Sequence, residues 1–149
     1  MKNILVAVDF EEKTKRLLVN ARQIAEKFGA KIWIIHIAEH RSEYFGPTDT
    51  YQYGVQYVNL RHSIAEELRK EHKLVQDYAN ELIKEGIESE GLLIEGPTTK
   101  LILDEALKLK IDLIIIGSHK HSFLYNALIV STSDSIIRKS QIPLLVIPI

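Results

Sequence analysis

Apolar residues gather in five short runs, at 4–8, 32–37, 92–94, 113–116 and 144–147. The runs are rich in Ile, Val and Leu, and most are apolar at both alternating positions. That is the pattern of parallel strands covered by helices on both faces. The stretches between them carry helical spacing. Leu17, Leu18, Ala21, Ile24, Ala25 and Phe28 form a first stripe, with Gly29 at a C′ position. Leu60, Ile64, Leu68, Leu74, Val75, Tyr78 and Leu82 mark a long second helix that Gly86 ends. A third begins at Thr98, a good N-cap residue, and carries Leu101, Ile102, Ala106 and Leu109. The fourth is short, from near Ser131 to Lys139, with Ile136 and Ile137 facing inward and Pro143 opening the last strand.

Strand and helix alternate four times, which predicts a three-layer α/β fold: a doubly wound sheet of five parallel strands with right-handed crossovers. Five strands favour the flavodoxin-like order 3-2-1-4-5 or a close relative. Ligands on such sheets bind at the carboxyl ends of the strands, where the strand order reverses. The positions to inspect are therefore Asp9-Phe10, Ile37-Ala38, Glu95-Gly96 and Gly117 onward.

The chain has 149 residues, enough for one domain over its whole length that buries roughly 70% of its unfolded surface. Lys plus Arg is 19 and Asp plus Glu is 20, so the net charge is 19 − 20 = −1. That balance gives no general reason to bind nucleic acid or an anionic membrane. With no cysteine, a disulfide framework, a Cys zinc site, an iron–sulfur cluster and a thiol nucleophile are excluded. No segment has the length of a membrane span, and no signal-peptide pattern precedes the first strand. A cytoplasmic location is expected.

The connection between Ile37 and Leu60 is longer than such folds usually allow. It holds Tyr44, Tyr51, Tyr53 and Tyr57, with Phe45 among them. It is either an excursion covering one end of the sheet or a lid or partner surface. The first strand is followed by neither G-x-G-x-x-G nor a P-loop. His36 and His40 flank a strand end, where their spacing does not converge on a metal, and His119 and His121 beside Lys120 fit a solvated loop. Ser131, Thr132, Ser133 and Ser135 crowd a helix start. Their hydroxyls serve either as caps or, with the free N–H groups there, as an anion site.

Taken together, several segments resemble the universal stress proteins. Asn3-Ile4-Leu5-Val6-Ala7-Val8-Asp9-Phe10 looks like their first strand, and Ile35-His36-Ile37 like the end of their second. Gly96-Pro97 matches the turn into the third helix. Asp112 through His119 matches the fourth strand and its loop, and Ser140 through Pro148 the closing segment. The likeness is collinear over the whole chain and implies a fold related to the adenine-nucleotide hydrolases. Members that bind ATP share G-x-x-G-x9-G-[S/T] after strand four, where the glycines line the triphosphate and the last hydroxyl donates to phosphate. On this chain those positions are Gly117, Lys120, Val130 and Ser131.

The resemblance therefore implies a nucleotide site framed by Ala7, Val8 and Asp9, by Ile37, by Ile116, Gly117, Ser118 and Lys120, and by Val130, Ser131 and Thr132. ATP or AMP, with magnesium, is the implied ligand. Two of the three glycines are missing. Forcing Val130 into a tight contact costs on the order of 1–3 kcal/mol, roughly a tenfold to hundredfold loss of affinity. Lys120 gives up glycine's freedom, yet its ammonium reaches across a wider gap. No catalytic residue is expected. The leading expectation is a regulatory domain of the stress response that binds ATP weakly or not at all. An ATP- or AMP-binding sensor is the alternative, and a slow ATP hydrolase with Asp9 or His119 as base the second. The likeness also implies a homodimer through the apolar last strand, residues 144–149, an edge open to pairing with its own copy.

Overall fold

The computed structural model describes residues 1–38, 54–118 and 132–149, the side chains of 54–59 excepted. The chain forms β1 (Asn3–Ala7), α1 (Thr14–Phe28), β2 (Lys31–Ala38), α2 (Gly54–Lys84), β3 (Ser89–Glu95), α3 (Thr98–Lys108), β4 (Leu113–Ser118), α4 (Thr132–Lys139) and β5 (Leu144–Pro148). The five strands are parallel, in the order β3-β2-β1-β4-β5. This is the doubly wound sheet expected from the alternation of elements. The strand order reverses between β1 and β4.

Alternation along the strands explains the three layers. Ile4 and Val6 of β1, Ile32 and Ile34 of β2 and Ile115 of β4 face one side. There they meet Leu17, Leu18, Ala21 and Ala25 of α1, with Val75, Ala79 and Leu82 of α2. Leu5, Ile35, Ile37, Ile114 and Ile116 face the other side, against Ile102 and Ala106 of α3 and Ile136 of α4. Burying each large aliphatic side chain contributes roughly 1.5–3 kcal/mol, so both faces of the sheet need a helical cover.

Several expected boundaries and burials change. Strand β1 runs one residue earlier than the apolar run 4–8. Strand β3 is much longer than 92–94 because its first half hides its character: Ser89 is buried, and Gly91 lies so close to α2 that an added Cβ would come within 2.5 Å of Val75 Cγ1. Helix α2 starts at Gly54, so the connection expected to run to Leu60 is shorter, and the backbone of Tyr57 is helical. Tyr44, Phe45, Tyr51 and Tyr53 lie outside the described residues. Leu60 and Leu74 are exposed at 46% and 42%. Leu74 and Val75 point about 100° apart on a helix, and Val75 takes the sheet side. Phe28 and Ile137 are likewise exposed, at 57% and 38%. Phe28 ends α1, where Gly29 turns the chain in left-handed conformation at φ 62°. Thr98 is not a cap: Pro97 holds that place at φ −65°, ψ 111°, and α3 begins at Thr98.

Candidate functional site

The reversal of strand order opens a cavity of about 610 Å³ at the carboxyl ends of β1, β2 and β4. Volumes of this order suit small organic ligands. Of the eleven residues expected to frame a nucleotide, Ala7, Val8, Asp9, Ile37, Ile116, Gly117 and Thr132 line it. Ser118 does not. Its side chain is buried, and its carbonyl accepts the Ile149 N–H at 2.9 Å, which carries the ladder past β5. Lys120, Val130 and Ser131 lie outside the described residues, as do His40, His119 and His121.

The β1–α1 corner is built by Asp9. Its Oδ1 accepts the Glu11 N–H and the Thr14 hydroxyl, each at 3.2 Å. An Asp side chain closing on the backbone two residues ahead is a common way to make a turn. Phe10 follows in left-handed conformation, φ 63°. For a non-glycine residue this costs on the order of 1–3 kcal/mol and persists only when neighbours hold it. The neighbours are the His36 ring, with centroids 4.1 Å apart, and the Tyr78 ring at 6.2 Å. Burial pushes the Tyr78 phenol above its ordinary range, and the Glu81 and Asp9 carboxylates add to that.

On the opposite wall, the Ser133 hydroxyl donates to the Gly117 carbonyl at 2.7 Å. That hydroxyl therefore ties α4 to β4. Gly117 also has a packing reason to be glycine, since a Cβ there would come within 2.4 Å of Ile149 Cδ1. Thr132, the first residue of α4, places the positive end of the helix dipole at the cavity, where anions are favoured.

Sequence reasoning did not place Thr14, Glu71, Thr98 or Ile149 at the site, though they also line the cavity, and it took His36 as part of a strand end and not as a lining residue. Glu71 gave no signal, being one of many acidic residues on α2. Thr14 carried a faint one, five residues after Asp9 in the first turn of α1. Among the described residues, no three His, Asp or Glu side chains gather in a way that would hold a metal ion. No helix among them is long and apolar enough to cross a membrane.

A doubly wound α/β domain with a cavity at its switch point is the class that fold and site define. The family model for the universal stress protein family matches residues 1–148, and the chain belongs to that family. It is 31% identical to universal stress protein A homolog 2 of Coxiella burnetii over 152 aligned positions, covering 99% of this chain and 95% of the relative. Among solved structures, a universal stress protein family member from Burkholderia pseudomallei superposes with a TM-score of 0.70 at 20% identity, covering 99% of this chain and 96% of that one. A universal stress protein in complex with cAMP superposes at 0.67 and 17% identity, covering 99% and 96%. The Archaeoglobus fulgidus universal stress protein in complex with dAMP superposes at 0.64 and 20%, covering 99% and 98%.

Proposed function

We propose that this chain is a non-catalytic regulatory domain of the stress response that holds an adenine nucleoside monophosphate in the switch-point cavity, and holds ATP less well. The observation that carries this is the cavity itself, formed where β1, β2 and β4 end and faced by the start of α4. Ala7, Val8 and Ile37 offer backbone and apolar surface for the nucleoside. Thr132 and the first N–H groups of α4 offer donors for one phosphate. That structural neighbours were solved with cAMP and dAMP speaks for a ligand of this size. Against tight binding of the triphosphate stand Lys120 and Val130, at positions where ATP-binding members have glycine. Magnesium would enter only with ATP. A cytoplasmic setting goes with this function, because the nucleotide pool is there.

We also infer that two copies pair through β5. It is an edge strand of the sheet, and its Leu144, Leu145 and Val146 are only partly buried. An apolar edge favours pairing with a second strand, here about a two-fold axis.

Titration calorimetry with AMP, cAMP and Mg²⁺-ATP tests the function. AMP or cAMP is expected to bind at least tenfold more tightly than ATP. Substituting Lys120→Gly together with Val130→Gly is expected to recover about tenfold in ATP affinity. No heat with any of the three ligands would refute the nucleotide function. Equal affinities, unchanged in the double variant, would refute the account of the missing glycines.

A further inference from the structure

Gly117 stands one residue before the end of β4 and lines the cavity. Side chains alternate along this strand. Ile114 and Ile116 face α3 and α4, whereas Ile115 faces α1. A side chain at position 117 would therefore point to the α1 side, as Ile115 does. Glycine leaves that space open, and Ile149 fills it. Measured from the Cβ that Gly117 lacks, Ile149 Cδ1 lies at 2.4 Å, Cγ1 at 3.1 Å and Cγ2 at 3.7 Å. The isoleucine thus lies flat over the glycine.

The main chain holds it there. The Ile149 N–H donates to the Ser118 carbonyl at 2.9 Å, which keeps its backbone in line with β5. The side chain packs against the core on the α1 side and is only partly exposed. A ligand that needs the space above Gly117 must displace that side chain.

The place matters because of what stands across β4. The Ser133 hydroxyl donates to the Gly117 carbonyl at 2.7 Å, so the first turn of α4 is tied to Gly117. A phosphate on the first N–H groups of α4 then stands at the end of β4, on the α4 side. A second phosphate that continued over the end of β4 would enter the space above Gly117. Ile149 offers it methyl and methylene groups and no donor. Val8 and Leu17, whose side chains line the cavity on the same side, bring none either. Stripping water from a charged group without a hydrogen bond in exchange is costly.

We infer that Ile149 is a specificity-determining residue of the cavity: it occupies the space above Gly117 and limits the phosphate chain to one unit. The inference rests on the nucleotide function proposed above. It adds a determinant that does not depend on positions 120 and 130. In this chain the glycine at the end of β4 seats an apolar side chain of the same chain, and that side chain forms a wall of the site.

The test is titration calorimetry with AMP and ADP, in the same excess of Mg²⁺, on a graded series at position 149. Ile149→Val deletes Cδ1, the atom nearest Gly117, and Ile149→Ala deletes Cγ1, Cγ2 and Cδ1. The ratio of ADP affinity to AMP affinity is expected to rise about twofold in Ile149→Val and about fivefold in Ile149→Ala. A merely structural role would weaken both ligands by the same factor, so a ratio that stays at the wild-type value in both variants overturns the inference. If Ile149→Ala does not fold, Ile149→Val decides, because it removes a single methyl group. A wild-type protein that already binds ADP as tightly as AMP overturns the inference alone. One that binds neither ligand overturns the nucleotide function and this inference with it.

Discussion

Gly91 sets the distance between β3 and α2, and alanine in its place measures how firmly that distance is held. A Cβ at Gly91 would lie 2.5 Å from Val75 Cγ1, 2.7 Å from the Val75 carbonyl oxygen and 2.9 Å from its carbonyl carbon. Val75 is fully buried, and a helical valine has one strongly favoured rotamer. The other two atoms are backbone, so α2 itself must move. The Gln76 amide holds the helix here, donating to the Gly91 carbonyl at 2.8 Å. Overpacking of this kind costs about 1–3 kcal/mol, and loosening the Gln76 bond adds roughly 1 kcal/mol. Restricting the unfolded chain returns about 0.4–1 kcal/mol. The net expectation is a loss of about 2–3 kcal/mol, which for a chain of this length lowers Tm by roughly 5–10 °C.

Gly117→Ala is the internal control. Its Cβ would meet Ile149 Cδ1 at 2.4 Å and Cγ1 at 3.1 Å, both atoms of a partly exposed side chain that can swing aside. The cost there should stay under about 1 kcal/mol. Thermal melts and urea titrations of both variants decide the matter. Val75→Ala in the Gly91→Ala background removes the Cγ1 contact and leaves the two backbone contacts, so rescue should be partial. A Gly91→Ala protein within about 0.5 kcal/mol of wild type, or one no less stable than Gly117→Ala, would refute the reasoning.

Asp112 Oδ2 accepts the backbone N–H groups of Lys2 at 2.6 Å and Asn3 at 2.9 Å, and these bonds hold its carboxyl below the usual carboxylate range. The ionised form is the one the fold favours, so its contribution is present above the ordinary Asp range near pH 4 and fades as the pH falls below it. Asp112→Ala should melt lower than wild type at pH 7, with the gap narrowing as the pH falls below the ordinary Asp range; a gap constant with pH would contradict this. At the β5 edge, Val146→Arg should turn a dimer into a monomer in sedimentation equilibrium with little change in secondary structure. A wild-type protein that is monomeric at high concentration would refute pairing through β5.

The core was legible because parallel strands covered on both faces read as unbroken aliphatic runs. Ile4, Leu5, Val6 and Ile114, Ile115, Ile116 announce central strands without any other signal. Legibility failed where packing is done by small or polar residues. Ser89 and Gly91 belong to a buried strand whose contact with α2 depends on the absence of a side chain, which no hydropathy pattern records. Adjacent apolar residues such as Leu74-Val75 and Ile136-Ile137 give no clue to which one faces the sheet. At the site, strand ends were readable from the strands themselves, so Val8, Ile37 and Gly117 could be named. Glu71 was not, because it reaches the cavity from the middle of a long helix, and only the packing of α2 on β2 brings it to His36.

The electrostatics of the cavity bear on which nucleotide the proposed function favours. Its lining among the described residues includes Asp9 and Glu71 and contains neither Lys nor Arg. A like charge about 8 Å away costs roughly 0.5 kcal/mol in water and about 2 kcal/mol at the effective dielectric of a partly enclosed site. The start of α4 returns about 0.3–1 kcal/mol per anion. In the proposed function, one phosphate would therefore come close to balance, with the nucleoside supplying the net affinity. Each further phosphate adds repulsion that a single helix end does not offset. Each then needs a cation, which Mg²⁺ would supply. ATP affinity that collapses when Mg²⁺ is withheld, against AMP affinity indifferent to Mg²⁺, is the expected signature of that division.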